Sequence, residues 1–223
     1  MITFYSLAVF FHILLFVFWL GADLGVAVLG AQFREHQSYT LEQRLALLQN
    51  LVRIDMGPRS AWALMIGSTI TLVSLGGYWI VPWWGVALSW AVSLLWLALV
   101  WRIYRLQQDP AAAPLKRVES VLKWSLAAFY LGLGLYSLAL DAPLADNWLA
   151  AKALLFGFIF VAAILIDVMF KPVGPLLMAL INEGSSDATE GPLLAQMNRS
   201  RFWVRVTYAL LVVVAFIGTT KAF

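Results

Sequence analysis

Six apolar stretches, separated by polar connections, run along the 223 residues. A hydrocarbon core takes roughly 20 apolar residues per helix. The stretches predict α-helical spans at about 4–31, 59–78, 83–104, 121–140, 148–170 and 203–220. Between the first two, Leu41, Leu45, Leu48 and Val52 recur at helical spacing, with Glu42, Arg44, Gln49 and Arg53 on the other face. This predicts an amphipathic helix over about 40–55 that lies along the membrane interface and leads into the second span. Pro58 suits the start of that span. The connection Val173–Arg201 holds two short apolar stretches around Glu183-Gly184-Ser185-Ser186-Asp187, which reads as a turn. The fold class expected is all-α: a polytopic transmembrane helix bundle in a single domain, 1–223.

The connections alternate in charge. The first carries Arg34, Arg44, Arg53 and Arg59, the third Arg102, Arg105, Lys116, Arg117 and Lys123, and the fifth Lys171, Arg199, Arg201 and Arg205. The second has no Lys or Arg, and the fourth has only Asp141 and Asp146. Basic loops stay on the cytoplasmic side, so both termini are expected outside. Interfacial aromatics agree: Tyr78, Trp79, Trp83, Trp84 and Trp148 fall at the outer boundary, and Trp101, Tyr104, Trp124 and Trp203 at the inner one. Met1–Ser6 has no positive region and the apolar run outlasts a signal peptide, so it reads as the first span. The expected location is a bacterial-type inner (plasma) membrane.

Composition narrows the chemistry. Hydrophobic residues make up 62% and charged ones 12%, with mean hydropathy +0.84. So few charges do not cover a water-soluble surface, and a lipid bilayer is the expected partner. With no Cys there is no disulfide, thiolate metal site or covalently attached heme. No basic stretch is interleaved with exposed aromatics, so nucleic acid is not an expected partner.

Of the two histidines, His36 falls in a polar connection and reads as a solvated side chain. His12 lies roughly 12 Å inside the outer end of the first span at 1.5 Å per residue. An ionisable group at that depth faces protein and finds a partner. His12, Trp19 and Asp23 share one stripe of the helix, while Gly21 and Gly25 form a small-xxx-small pair on another face. Asp23 is expected to pair with Arg53 or Arg59, as a structural ion pair or a proton relay. Lys152 enters the fifth span near the outer boundary, where it would snorkel to headgroups or serve a site. Asp167 stands four residues before Lys171, which suits a helix-end pair. Met56 sits between the two arginines. Trp19 suits packing, and His12 suits either a hydroxyl-bonded core position or a functional one.

The run His12-Ile-Leu-Leu-Phe-Val-Phe-Trp19-Leu-Gly21, the Arg53-x-x-Met56 stretch and Trp148-x-x-x-Lys152 together resemble a loose group of bacterial membrane proteins. The group contains the HemJ type of protoporphyrinogen oxidase, the CopD copper-resistance proteins and the membrane part of PuuD-type urate oxidases. The resemblance implies a b-type heme, with His12 as iron ligand, Lys152 as a further heme-binding position, and Trp19 and Met56 beside them in the matched motifs. The chain departs from the HemJ pattern in having more spans and no further intramembrane histidine. The resemblance therefore implies a cofactor site rather than a reaction.

Three functions follow as expectations. The first is a heme-binding membrane redox protein (an oxidoreductase if catalytic) acting on a quinone, a porphyrin-like compound or a small oxidant. The second is a small-solute or metal transporter or channel using Asp23, Asp167 and His12. The third is a non-catalytic accessory subunit, in a homo-oligomer or a larger membrane complex.

Overall fold

The computed structural model describes residues 2–106 and 109–221. Among them the secondary structure is all-helical: α1 (Phe4–Arg34), α2 (Leu41–Leu75), α3 (Trp83–Leu106), α4 (Ala112–Leu140), α5 (Asn147–Phe170), α6 (Val173–Glu183) and α7 (Asp187–Thr220). Side-chain caps begin the first two. Thr3 and Thr40 accept from the backbone N–H of Ser6 and Gln43, whose side chains return the bond.

The long helices form a ring. α2 packs between α1 and α3, α4 packs closely on α5, and α5 packs on α7. α4 touches α3 far less than it touches α5, and α7 meets α1 at only a few positions. Five stretches are long and apolar enough to cross a membrane: α1, α3, α4, the α5–α6 stretch Asn147–Glu183, and α7. That makes the chain a multi-pass membrane protein with lipid around it. α2 falls outside this set because its second half carries Ser60, Ser68, Thr69, Thr71 and Ser74. It is also the most enclosed helix, with Ala61–Ala63 and Met65–Ser68 all buried.

The expected interfacial helix over 40–55 is not a separate element. It is the first half of α2, which runs unbroken through Pro58. Its apolar stripe is used by protein rather than by lipid. Leu41 and Leu48 pack on a second small core made by Phe33, Leu180, Leu193 and Met197. Arg44, placed by its spacing on the solvent face, is 1% exposed. Its Nε donates to the Phe33 carbonyl at 2.7 Å, and its two terminal nitrogens bond both oxygens of Glu190 at 2.5 and 3.0 Å. At 1.5 Å per residue, α2 is about 52 Å long, well beyond a hydrocarbon core of about 30 Å. Its start, the end of α1, α6 and the part of α7 before Trp203 thus form a helical platform outside the apolar slab. We call this the basic end.

Where helices approach most closely, glycine makes room, but not at the expected pair. Gly21 faces open space, and a Cβ at Gly25 would only touch Ile54 at 3.9 Å. The close contacts are Gly134 of α4, where a Cβ would lie 2.5 Å from the Leu154 backbone nitrogen, and Gly157 of α5, where it would lie 2.7 Å from that of Leu131.

Two outcomes follow. Gly134→Ala forces the α4 and α5 backbones apart and should cost about 1–3 kcal/mol in unfolding measured in detergent, whereas Gly21→Ala should be near neutral. At Glu190, on the platform, burial raises the carboxyl, but hydrogen bonds from Arg44 and Ser185 outweigh it and hold the group below its usual range. The stability this contributes is full above the ordinary Glu value of about 4.3 and is lost as pH falls through the lowered one. Glu190→Gln should cost about 3 kcal/mol at neutral pH and flatten the acid arm of the stability–pH curve.

Candidate functional site

A mostly apolar cavity opens between α1, α2, α4, α5 and α7, with about 860 Å³ of space between atoms including its open mouth. Its walls are almost entirely apolar, including Phe16, Val73, Leu133, Phe156 and Leu211. His12, Lys152, Trp19 and Tyr130 bring polar groups to it.

His12 reaches the cavity from α1. Its Nδ1 lies 3.1 Å from Ser68 Oγ on α2, so one face of the ring is fixed by a hydroxyl. Nε2 has no hydrogen-bond partner among the described residues. Lys152 comes from α5, one turn past Trp148, with Nζ 6.0 Å from the Trp148 ring centre. The amine is bonded to no acceptor among the described residues. It rests against Gly218 of α7, where an added Cβ would collide with Nζ. Two residues distant in sequence, His12 and Lys152, therefore line one chamber, on different helices.

Tyr130 is 2% exposed, and its hydroxyl has no hydrogen-bond partner among the described residues. Sequence reading passed it over as one more aromatic in an apolar helix. Ser68 was missed as well, since nothing local marks a serine as the partner of a histidine on another helix.

Toward the basic end the cavity is closed by an aromatic cluster. Trp19 stacks on Trp62 at 5.6 Å, Trp62 meets Trp96 at 4.8 Å and Phe160 at 4.9 Å, and Tyr130 meets Phe156 at 4.7 Å. Beyond it lies a buried polar group. Lys123, counted in sequence as a loop cation, is 5% exposed inside α4. Its Nζ bonds Asp167 at 2.8 Å and Glu119 at 3.2 Å and faces the Trp62 ring at 5.7 Å. Trp96 Nε1 donates to Glu119 at 3.3 Å.

The remaining candidates are dispersed. Asp167 pairs with Lys123 across helices and not with Lys171. The expected pairing of Asp23 with Arg53 or Arg59 is not made. Arg59 Nε instead reaches Asp55, four residues back on its own helix, at 2.5 Å. The Asp23 backbone carbonyl accepts from the Tyr208 hydroxyl at 2.9 Å, one of the few links between α1 and α7. Met56 is buried at the basic end beside Arg53 and Arg59, in a separate recess, and does not line the His12 cavity. Among the described residues no three His, Asp or Glu side chains gather as a metal site.

No family model, curated protein or solved structure matches the chain.

The buried cation is the test of the polar cluster. Lys123→Met leaves Glu119, 8% exposed, without its counter-charge and should cost about 3 kcal/mol of unfolding free energy. Lys171→Met should stay within about 0.5 kcal/mol, the reverse of what the spacing of Asp167 and Lys171 suggests.

Proposed function

We propose that this chain is a heme-binding membrane redox protein whose cofactor site is the cavity lined by His12 and Lys152. The observation that carries the reading is that the cavity gathers the one histidine held inside the bundle and an unbonded lysine in an apolar chamber. With Nδ1–H given to Ser68, His12 presents the Nε2 lone pair, the form an iron-ligating imidazole needs, already oriented by its partner. Lys152 offers an amine that serves as a second donor when neutral, or as a cation for an acidic substituent. Trp19, Phe16 and Phe156 supply flat apolar walls. The donor set and the walls fit a b-type heme, which when bound supplies one-electron chemistry. The chain's own residues bind, orient and exclude water. The aromatic cluster from Trp19 to Phe160 separates the chamber from the charged group at the basic end. The substrate class is a quinone, a porphyrin-like compound or a small oxidant.

The same reading sets the chain across a bacterial-type inner membrane six times, with both termini outside. The position of α2 between α1 and α3, with Ser60, Ser68 and Thr71 bonded inside the ring, supports counting it as a span. The collection of Lys and Arg at one end of the bundle supports the orientation. A reporter fused after Phe223 should give an outer-side signal, and a cytoplasmic signal would remove the even count.

The absorption spectrum in mild detergent, after expression with heme supplied, tests the site. A Soret band should be present in the wild type and absent in His12→Ala. Ser68→Ala should keep the band but weaken heme retention about 10-fold, within the range for loss of a partner that orients a ligand. A colourless wild type rejects the heme reading.

A further inference from the structure

The recess at the basic end, between α2, α3 and α4, holds about 1470 Å³ including its open mouth. It is distinct from the His12 cavity and has no role in the reading above. Met56, Val100 and Ile103 form its apolar walls, and Arg53, Asp55, Arg59, Lys116 and Glu119 bring charge to it. Both acids are already engaged. Asp55 is bonded to Arg59 at 2.5 Å, and Glu119 to Lys123 at 3.2 Å and to Trp96. Arg53 of α2 and Lys116 of α4 remain, with no acidic partner among the described residues. They are the charges the recess presents to an incoming group.

Three further observations say what that group is. α4 packs on α3 far less than on α5, so the seam that borders the recess is loosely closed. Trp101 and Tyr104 of α3 lie at this level, and the Trp101 indole donates to Ser60 at 3.1 Å, so the rim carries interfacial aromatics. The recess wall itself exposes apolar surface, with Val52 of α2 43% exposed beside Met56 and Ile103. A free phosphate would use the two cations and leave these surfaces bare. A phosphodiester headgroup carrying acyl chains would use both.

We infer that this recess binds the headgroup of an anionic phospholipid, with Arg53 and Lys116 on the phosphate and the acyl chains against Val52, Ile103 and Tyr104. Arg presents a planar donor fork to a phosphate and Lys a compact charge, and basic pockets between helices at the membrane surface hold such headgroups. The site tethers α2 to α4 across the weakly packed α3–α4 seam.

The test is lipid retention by the purified full chain in mild detergent, titrated with phosphatidylglycerol or with phosphatidylcholine and read as bound lipids per chain by native mass spectrometry. One phosphatidylglycerol should be retained roughly tenfold more tightly than phosphatidylcholine, in line with the attraction of two cations for an anionic headgroup. Arg53→Gln with Lys116→Gln should abolish that preference. Lys171→Gln with Arg199→Gln removes the same charge from exposed positions outside the recess and should leave the preference intact. Equal loss in both double variants would show diffuse attraction to the basic end and overturn the site. Displacement of the lipid by millimolar inorganic phosphate would overturn the assignment to a lipid. Should the first variant fail to fold, an absence of any preference in the wild type overturns the proposal by itself.

Discussion

A polar side chain inside an apolar slab has no water to turn to, so α2 keeps its serines and threonines there only by being surrounded. Three of the five, Ser60, Ser68 and Thr71, have partners. Ser60 donates to the Met56 carbonyl and Thr71 to that of Gly67, Thr71 accepts from the Trp90 indole, and Ser68 meets His12. The requirement extends to the neighbours. α3 comes close because Gly67 offers no Cβ, which would lie 2.6 Å from the Trp90 ring, and Ser93 accepts from the Gly67 N–H. α1 must present a histidine at the level of Ser68. The ring of helices is in this sense built around its least apolar member, and the lipid-facing surface is left to α1, α3 and the outer faces of α4 and α7.

The same requirement divides the interior in two. On one side of the Trp19–Trp62–Trp96–Phe160 cluster is a nearly apolar chamber with a few isolated polar groups. On the other is a charged group in which Lys123 serves two carboxylates. Burying a lone cation at that depth would be costly, and two acidic partners together with the Trp62 ring make it tolerable. The tryptophans therefore act as a partition as well as packing. They let one short bundle hold an apolar site and an ionic network within a few turns of each other, with little water able to pass between them.

Much of this was legible in the pattern of residues, and the part that was not has a physical reason. Apolar runs show which segments seek lipid, and five of the six are stretches apolar enough to cross. The second was read as apolar like the rest, yet its hydroxyls and Arg59 leave it short of that measure, and its neighbours in the ring enclose it. Periodicity found the stripe of Leu41 and Leu48 but not what covers it, because an apolar stripe looks the same whether lipid or Phe33 and Leu193 lie opposite. Charge pairing failed for a related reason. Spacing along one helix suggested Asp167 with Lys171, while the ring brought Lys123 to Asp167 from another helix. For Arg59 the error ran the other way, since the local partner Asp55 was nearer than Asp23. His12 and Lys152 were placed at a common depth by counting residues from the boundary, and depth is the one long-range coordinate that a membrane sequence carries.

Depth alone does not say what the chamber is for, and here the unbonded groups carry the argument. A buried hydroxyl without a partner costs about 1–3 kcal/mol, and that of Tyr130 has none among the described residues. Nor is the Lys152 amine bonded to any acceptor among the described residues. An occupant made only of hydrocarbon would fill the space and leave both costs in place. One that is flat and largely apolar, with acceptor atoms at its edge and an electron-deficient centre for His12, would satisfy the walls and the polar groups together. Heme has that combination of features. A lipid tail has only the first of them, the apolar surface, so the polar groups along the walls favour a cofactor over a lipid that merely fills a gap.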